Sequence, residues 1–297
     1  MASPYDILAK YNPMVAAMRN GMELVREPEF QHAVGIAAAK IVRAELFQNP
    51  HLRNRAIIEF VARAGLVSTD QVINRYIREE GESLFDAQRR GGAILKRLML
   101  GEYLQARPVV VSTINLATAG DVHSGDQVVD AVLKARKWAP MGRQVFTRAV
   151  YVTPKAAGEF NLPLPPTFRE NFVQHHLKTM DALLQTEKEL LSRGYKVLDI
   201  KGEEKLIREA FRAELQGRAG QGQQRKAAAH YPDAQLVVVT PTGERQAINI
   251  EYVTGKYTDK MIAAKAASFS GPTIWAADKL GTARRIERIT GQEALLV

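Results

Sequence analysis

Cysteine is absent from the 297-residue chain, which excludes disulfides, thiolate zinc sites, iron–sulfur clusters and cysteine nucleophiles. No apolar run approaches the roughly 18–20 residues that a membrane-spanning helix needs. The first residues, MASPYDILAK, lack the basic head and the long apolar stretch of a signal peptide. The motifs of P-loop nucleotide binding, zinc proteases and α/β-hydrolases are also missing. We therefore expect a soluble, cytoplasmic protein without a membrane partner.

The charge balance is basic. The chain has 41 Lys and Arg against 32 Asp and Glu, a formal net charge of +9. Such an excess favours polyanionic partners, of which nucleic acid is the commonest, although a basic surface without a particular partner is the alternative. Hydrophobic residues make up 46% of the chain, which is enough to build a packed core and argues against general disorder.

The chain divides into parts of different composition. Residues 1–50 predict an N-terminal helical extension in which we find no chemistry. Residues 51–160 form a second unit, and the proline-rich stretch NLPLPPTFREN at 161–171 reads as a linker. Residues 172–297 form the last unit, which the basic stretch GRAGQGQQRK at 217–226 interrupts. The length fits two domains of ordinary size or one large domain.

The second unit has the pattern of a winged helix-turn-helix. Apolar residues in 54–64 recur at helical spacing, and Gly65 ends that helix. Ser68 and Gln71 predict a capping box for a second helix, and Ser83 predicts the cap of a third that reaches about Leu100. The β-rich stretches 105–118 and 144–153 follow, with a polar insertion between them. Short helices joined by tight turns and followed by two strands are typical of a DNA-binding domain with an enlarged wing.

Basic residues mark one face of the third helix. That face is predicted to carry Asp86, Arg89, Arg90, Ala93 and Arg97, whereas Phe85, Ile94, Leu95 and Leu98 are predicted to face the core. A helix face with three arginines can enter a major groove and contact phosphates or guanine edges. Arg143, on the wing side, would reach a phosphate. An ordinary solvated face of an amphipathic helix is the alternative.

The last unit predicts a mixed sheet flanked by helices. The expected order is a helix at 171–193, a strand at 196–200, a helix at 203–215, strands at 235–240 and 246–253, a helix at 259–268 and a strand at 273–277. With the preceding unit, this order predicts an α+β fold, that is, a winged helix-turn-helix followed by a mixed sheet.

The predicted hairpin places two acidic residues opposite each other. Asp233 lies nine residues before Thr242 and Glu251 lies nine residues after it. If the turn is centred at Thr242, their side chains share one face, with Cβ atoms about 4.5–5.5 Å apart. Two carboxylates at that spacing suit a divalent cation such as Mg²⁺ or Mn²⁺, which could activate water against a phosphodiester. The alternatives are a turn aspartate and a solvent-facing glutamate.

Further candidates lie on the helix at 171–193. Adjacent residues on a helix cannot chelate as a pair, so His175 and His176 are given a capping or packing role in preference to a phosphate contact. Glu187 and Glu189 are candidates for a third acidic ligand, or are surface residues.

The span from about Asn54 to Arg285 resembles the replication-relaxation family of plasmid- and phage-encoded proteins. The stretches that carry the resemblance are the helix-turn-helix at 54–100, VFTRAVYVTPKAAGEF at 145–160, FVQHHLKTMDALL at 172–184, YPDAQLVVV at 231–239 and INIEYVTGK at 248–256. The resemblance implies a winged helix followed by a domain similar to the PD-(D/E)XK nuclease fold. It also implies a DNA-binding protein that acts in replication, or in relaxation and mobilisation, of a mobile element.

The resemblance also assigns residues. Pro232-Asp233 matches the first nuclease motif, and Glu251 matches the acidic position of the second. The catalytic lysine expected two residues after Glu251 is replaced by Val253, so Lys256, or less favourably Lys260, is the candidate.

Three functions stay open at this point. The first is a DNA-binding protein with a degenerate nuclease-like domain. The second is an active Mg²⁺- or Mn²⁺-dependent endonuclease that uses Asp233, Glu251 and Lys256. The third is a protein-binding accessory factor. The expected partners are DNA and the replication or relaxase proteins of such an element. The oligomeric state, with a homodimer among the options, is left open.

Overall fold

The structure, a computed structural model, describes residues 48–79, 81–113, 143–164, 170–218 and 231–297. Over these ranges the chain is an α+β protein with eight helices and two β-sheets. The predicted extension up to residue 47, the polar insertion at 114–142 and residues 219–226 of the basic stretch lie outside the described residues. Within these ranges, no helix is long and apolar enough to cross a membrane.

The first unit combines four helices with a three-stranded antiparallel sheet. Its elements are α1 (Pro50–Ala64), β1 (Val67–Ser68), α2 (Thr69–Tyr76), α3 (Leu84–Leu100), β2 (Leu104–Thr113), β3 (Arg143–Val152) and α4 (Pro154–Glu159). The strand order is β1-β3-β2, and β2 and β3 pair over ten residues from Leu104 opposite Val152 to Thr113 opposite Arg143. The first three helices and the two long strands follow the predicted order, whereas β1 and α4 were not predicted.

The helix ends follow the predicted local chemistry. Gly65 ends α1 with φ of +86°, a backbone conformation that favours glycine. Ser68 and Gln71 form a capping box, because the Ser68 hydroxyl accepts from the Gln71 amide and the Gln71 side chain accepts from the Ser68 amide. The Ser83 hydroxyl accepts from the Asp86 amide and caps α3. The capping predictions at Ser68 and Ser83 are therefore confirmed.

The adjacent glycines of α3 have different surroundings. A Cβ atom on Gly91 would lie 2.6 Å from Cγ1 of Ile73 and 3.2 Å from Cδ1 of Ile77, both of which come from the α2 region. A Cβ atom on Gly92 would meet nothing within 4 Å. Gly91 therefore permits the close approach of α3 to α2, whereas Gly92 has no packing role.

The second unit is a five-stranded mixed sheet with helices on its faces. Its elements are α5 (Glu170–Ser192), β4 (Lys196–Gly202), α6 (Glu203–Arg218), β5 (Ala234–Val239), β6 (Arg245–Val253), α7 (Asp259–Ser268), β7 (Thr273–Ala277), α8 (Leu280–Thr290) and β8 (Ala294–Leu296). The strand order is β4-β5-β6-β7-β8, antiparallel from β4 to β6 and parallel from β6 to β8. The order of elements through β7 matches the prediction, whereas α8 and β8 were not predicted.

Both faces of the second sheet are covered. On one face, Ile250 and Tyr252 of β6 join a large apolar cluster that includes Leu183 of α5 and extends into the first unit. On the other face, a second cluster joins Val253 and Trp275 of the sheet to α7 and α8 through Ile262, Ala283 and Ile286. Side chains from alternate positions of β6 are therefore buried on opposite faces.

Helix α5 also contacts the first unit through polar groups. The Gln71 amide donates to the carbonyl of Leu177 and to the carboxylate of Asp181, at 2.8 and 2.7 Å. Arg75 of α2 forms a 2.6 Å ion pair with Glu187, which is buried. The two units therefore meet along α5. The linker predicted at 161–171 stays a prediction, and residues 165–169 of it lie outside the described part of the chain.

Candidate functional site

The β5–β6 hairpin brings Asp233 and Glu251 together. Ala234 pairs with Ile250, so Asp233, one residue before β5, lies at the position opposite Glu251. This is the register that a turn centred at Thr242 predicts. Asp233 is 6% exposed and Glu251 is fully buried. The alternative of a solvent-facing Glu251 is therefore wrong.

Asp233 is held by two hydrogen-bond donors. His175, in the first turns of α5, places its Nε2 atom 2.9 Å from Oδ2 of Asp233. The backbone amide of Tyr252 donates to the same oxygen at 2.9 Å. The His175 ring also packs edge-on against the Tyr252 ring, with centroids 5.2 Å apart. These contacts fix the Asp233 carboxylate at the start of β5.

Glu251 is paired with a lysine that comes from a different element. The ammonium group of Lys265, on α7, donates to Oε1 of Glu251. The Lys265 side chain is 13% exposed, and its ammonium also lies 3.4 Å from the Tyr257 hydroxyl. The second oxygen of Glu251, Oε2, is buried and has no hydrogen-bond partner among the described residues. The buried carboxylate is therefore only partly satisfied.

The electrostatics of this cluster reflect crowded acidic groups. Burial and the charge of Asp233 raise the pKa of Glu251 to about 8, and Lys265 only partly offsets this. Burial opposes the charged form of His175, but the hydrogen bond to Asp233 and the charges of Asp233 and Glu251 outweigh it and raise the pKa of His175. Burial, followed by the charges of Asp233 and Glu251, also raises the pKa of the Tyr257 hydroxyl. Tyr257 therefore stays protonated at neutral pH.

A third acidic residue lies near the pair. Glu203 is the first residue of α6. Partial burial and the charge of Asp233 raise its pKa, while Lys265 and His175 oppose that effect. The cluster thus gathers side chains from α5, α6, α7 and the hairpin at one end of the sheet.

The donor set suits a hard divalent cation only in part. Carboxylate oxygens are the ligands that Mg²⁺ and Mn²⁺ prefer, and the unpartnered Oε2 of Glu251 is a free ligand atom. Burial and the neighbouring Asp233 both disfavour the charged form of Glu251, so a cation beside the pair would stabilise that form. However, no three acidic or histidine side chains in the described ranges are arranged to share one ion. Asp233 and Glu251 are therefore the residues that could hold a metal.

The lysine candidates occupy different environments. Val253 is buried in the second apolar cluster. Lys256 is exposed in the turn after β6, where its backbone amide lies 3.4 Å from the Thr254 hydroxyl, and Lys260 is exposed on α7. Lys265, which does contact Glu251, was missed by the sequence reasoning. The available signal was its position three residues after Ile262, on the helix face that packs on the sheet.

The other candidate residues, which lie on α5, have different partners in the structure. His176 contacts the carbonyl of Ala64 at 2.9 Å, and burial lowers its pKa, as a packing role predicts. His175 instead joins the acidic cluster, so its assignment to packing or capping missed this contact. Glu187 pairs with Arg75, and Glu189 pairs with Arg193. These two glutamates are therefore engaged elsewhere.

The arginines proposed for DNA contact differ in their exposure and in their contacts within the protein. Arg89 is 79% exposed, with Asp86 at 3.9 Å, and Arg97 is exposed in the last turn of α3. Arg90 is engaged within the protein, because its guanidinium contacts Glu79 at 2.5 Å, Glu82 at 2.7 Å and the carbonyl of Ile77. Arg143 begins β3, and its side chain lies outside the described part of the structure.

The predicted core face of α3 needs one correction. Ile94, Leu95 and Leu98 are buried as predicted, at 8%, 2% and 4% exposure. Phe85 is 74% exposed, so its assignment to the core face is wrong. Phe85 lies two residues before the buried Ala87, and two residues on a helix correspond to a turn of about 200°. Phe85 therefore points away from the packed side.

No family model, curated protein or solved structure matches this chain.

Proposed function

We propose that this protein binds DNA and hydrolyses a phosphodiester at the site formed by Asp233, Glu251 and Lys265. The observation that carries the proposal is the contact of the Lys265 ammonium with Glu251 beside Asp233. The sequence lacks a lysine two residues after Glu251, and that absence was the reason to expect a degenerate site. A lysine supplied by α7 removes this objection.

Each residue of the site has a distinct task in the proposal. Lys265 provides the positive charge that would polarise a scissile phosphate. Its hydrogen bond to Glu251 and its closeness to the Tyr257 hydroxyl hold the ammonium in place. His175 and the Tyr252 amide fix the orientation of Asp233. The site therefore has orienting groups around both carboxylates.

Asp233 and Glu251 would hold a Mg²⁺ or Mn²⁺ ion. The ion would supply Lewis-acid polarisation of the phosphodiester and of the attacking water. The unpartnered Oε2 of Glu251 and the position of Asp233 opposite it support this assignment.

The DNA-binding part of the proposal is supported by the first unit. The order of three helices and two paired strands agrees with a winged helix-turn-helix, in which α3 would be the recognition helix. Arg89 and Arg97 are exposed on α3, and the chain has a net charge of +9. A basic surface of this kind binds DNA with an affinity that falls as salt rises.

The biological setting of the proposal is a plasmid or phage. Its support is the resemblance of the sequence to the replication-relaxation family, with a nuclease-like second domain. Within that setting, the activity would serve replication, or relaxation and mobilisation of the element's DNA. The partners would be DNA and the element's own replication or relaxase proteins.

A nicking assay with two lysine variants tests the assignment. Purified protein is incubated with supercoiled plasmid at low salt, with Mn²⁺ and without it. We expect Mn²⁺-dependent nicking that Lys265→Met and Asp233→Asn each lower by about 100-fold or more, because each removes a charge from the reacting centre. Lys256→Ala is the matched control and should nick like the wild type, because Lys256 is exposed in the turn after β6.

The outcomes of this assay are distinct. Nicking that persists in Asp233→Asn, or that Lys256→Ala abolishes while Lys265→Met retains it, contradicts the assigned site. Thermal unfolding of each variant shows that a loss of nicking is not a loss of fold.

A second candidate is a DNA-binding protein with an inactive nuclease-like sheet. The observation that favours it is the same ion pair, because the Lys265 ammonium occupies Oε1 of Glu251, an atom that a metal ion would otherwise need. A salt-sensitive gel shift with no nicking in Mg²⁺ or Mn²⁺ would support this candidate over the nuclease.

A further inference from the structure

The exposed side of α3 carries a continuous stripe of four residues. Phe85, Arg89, Gly92 and Lys96 follow each other at spacings of four, three and four residues, which brings them onto one line of a helix. All four are exposed, whereas the opposite side of α3 packs on the protein. The stripe therefore faces outward along almost the whole helix.

Phe85 at the start of this stripe is a largely exposed aromatic residue. It is 74% exposed, and its neighbour Leu84 is 40% exposed. An aromatic ring left in water forgoes the stabilisation that burial would give it, and here the ring adjoins Leu84 and lies on one line with two cationic residues. Arg89 lies one turn further along and is 79% exposed, which places a cation beside the ring on the same line.

Gly92 lies in the middle of the stripe and has no packing role. A Cβ atom there would contact nothing within 4 Å. A glycine inside a helix lowers helix stability relative to alanine, and one function that explains its presence is the close approach of a ligand to the helix backbone.

We propose that Phe85 stacks on an unstacked nucleobase of bound DNA, with Arg89 and Lys96 contacting the flanking phosphates. This inference rests on the DNA binding proposed above and adds the chemical feature that α3 reads. Aromatic side chains recognise bases through their faces when those bases are single-stranded or when a side chain wedges open a base step.

A protein partner fits this surface less well. The exposed apolar area at the start of α3 comes from Leu84 and Phe85, whereas a stable protein interface buries about 800 Å² on each partner. The other three residues of the stripe are the cationic Arg89 and Lys96 and the side-chain-free Gly92, a charge that is complementary to a polyanion. Asp86, the acidic residue of this turn, is occupied, because its carboxylate accepts from the Ser83 hydroxyl at 2.7 Å and lies near Arg89.

The test compares DNA affinities of Phe85 variants. The DNA is a random-sequence 30-mer, offered as a single strand and as a duplex in separate titrations at fixed low salt. We expect Phe85→Ala to lower the affinity for at least one form by about 5- to 100-fold, the effect of losing one base–aromatic stack. Phe85→Trp should restore binding, and the emission of the introduced tryptophan should be quenched when DNA binds.

The matched control is Phe172→Ala. Phe172 is 59% exposed on α5 and is not part of the stripe, so its removal should leave both affinities unchanged. A loss of single-strand affinity identifies an already exposed base as the ligand, whereas a loss confined to the duplex identifies a wedge into a base step.

Other outcomes overturn the inference. Equal affinities for wild type and Phe85→Ala in both titrations exclude base stacking. If Phe85→Ala without DNA sedimented differently from the wild type while its DNA affinity was unchanged, Phe85 would belong to a protein interface instead. A wild-type protein that binds neither form of DNA would refute the proposed function itself, and the inference with it.

Discussion

Glu251 combines full burial with an acidic neighbour and a single ion-pair partner. Its side chain is inaccessible to solvent, Asp233 lies beside it, and Lys265 contacts one of its two oxygens. Burial and the Asp233 charge raise the pKa of Glu251 to about 8. The folded protein therefore retains a proton on Glu251 over a pH range in which the unfolded chain has lost it.

This proton predicts a pH dependence of stability. Because the folded state binds more protons than the unfolded state, the contribution of Glu251 is fully present below pH about 4.5 and is lost as the pH rises to about 8. The slope from this single group is at most about 1.4 kcal/mol per pH unit. Urea unfolding at intervals from pH 5 to pH 9 measures it.

The control for this prediction is Glu251→Gln. It keeps the size and the neutral form of the side chain but cannot titrate, so its unfolding free energy should fall less steeply over the same range. Other groups also titrate, since the pKa of His175 and that of Glu187 are raised too. The difference between the two proteins isolates Glu251, and equal slopes would contradict the assignment.

The residues of the site differ in how far the sequence predicts them. The spacing of Asp233 and Glu251 about Thr242 gives their register, because a short hairpin turn fixes which residues pair. Lys265 lies 14 residues after Glu251 on a separate helix, and no local spacing rule links a helix residue to a strand partner at that distance. His175 was given a packing role because the sequence shows its helix but not the sheet edge above it.

Helix α3 illustrates both the strength and the limit of helical periodicity. The apolar residues Ile94, Leu95 and Leu98 are buried as predicted, and the basic residues lie outward. Phe85 was predicted on the core face with Ile94, Leu95 and Leu98, but it lies on the side of the helix opposite the buried Ala87. A residue two positions from a buried helix residue lies on the other side of the helix, whatever its hydrophobic character.

The two glycines of α3 provide a matched pair of stability predictions. Gly91→Ala should destabilise the protein, because its Cβ atom would lie 2.6 Å from Ile73 and force α2 and α3 apart. Gly92→Ala should stabilise it by up to about 1 kcal/mol, because alanine favours the helix and meets no neighbour. Chemical denaturation of the two variants checks the signs. Effects of the same sign would show that the packing of α3 on α2 is not as described.

The two units of the molecule share α5 as a common support. The same helix provides His175 to the acidic cluster, His176 to the carbonyl of Ala64 and Glu187 to Arg75. At Gly202, a Cβ atom would lie 2.9 Å from the carbonyl oxygen of Ala64, so β4 and the end of α1 also meet closely. A proline-rich linker in the sequence indicates where two units join along the chain, but it does not indicate how tightly they pack.

Close packing along α5 predicts that both units unfold together. Arg75→Met removes the partner of the buried Glu187 and the stacking of the guanidinium on Phe60, whose ring centroid is 4.5 Å away. Removing one partner of a buried ion pair costs about 3–5 kcal/mol. The control Arg55→Met breaks a pair whose arginine is 54% exposed, and should cost about 1 kcal/mol or less.

In hydrogen exchange with increasing urea, the amides of β3 and β6 should lose protection at one urea concentration in the wild type. In Arg75→Met, that shared concentration should be lower for both strands. If β3 alone lost protection earlier, the units would be independent and α5 would not couple them.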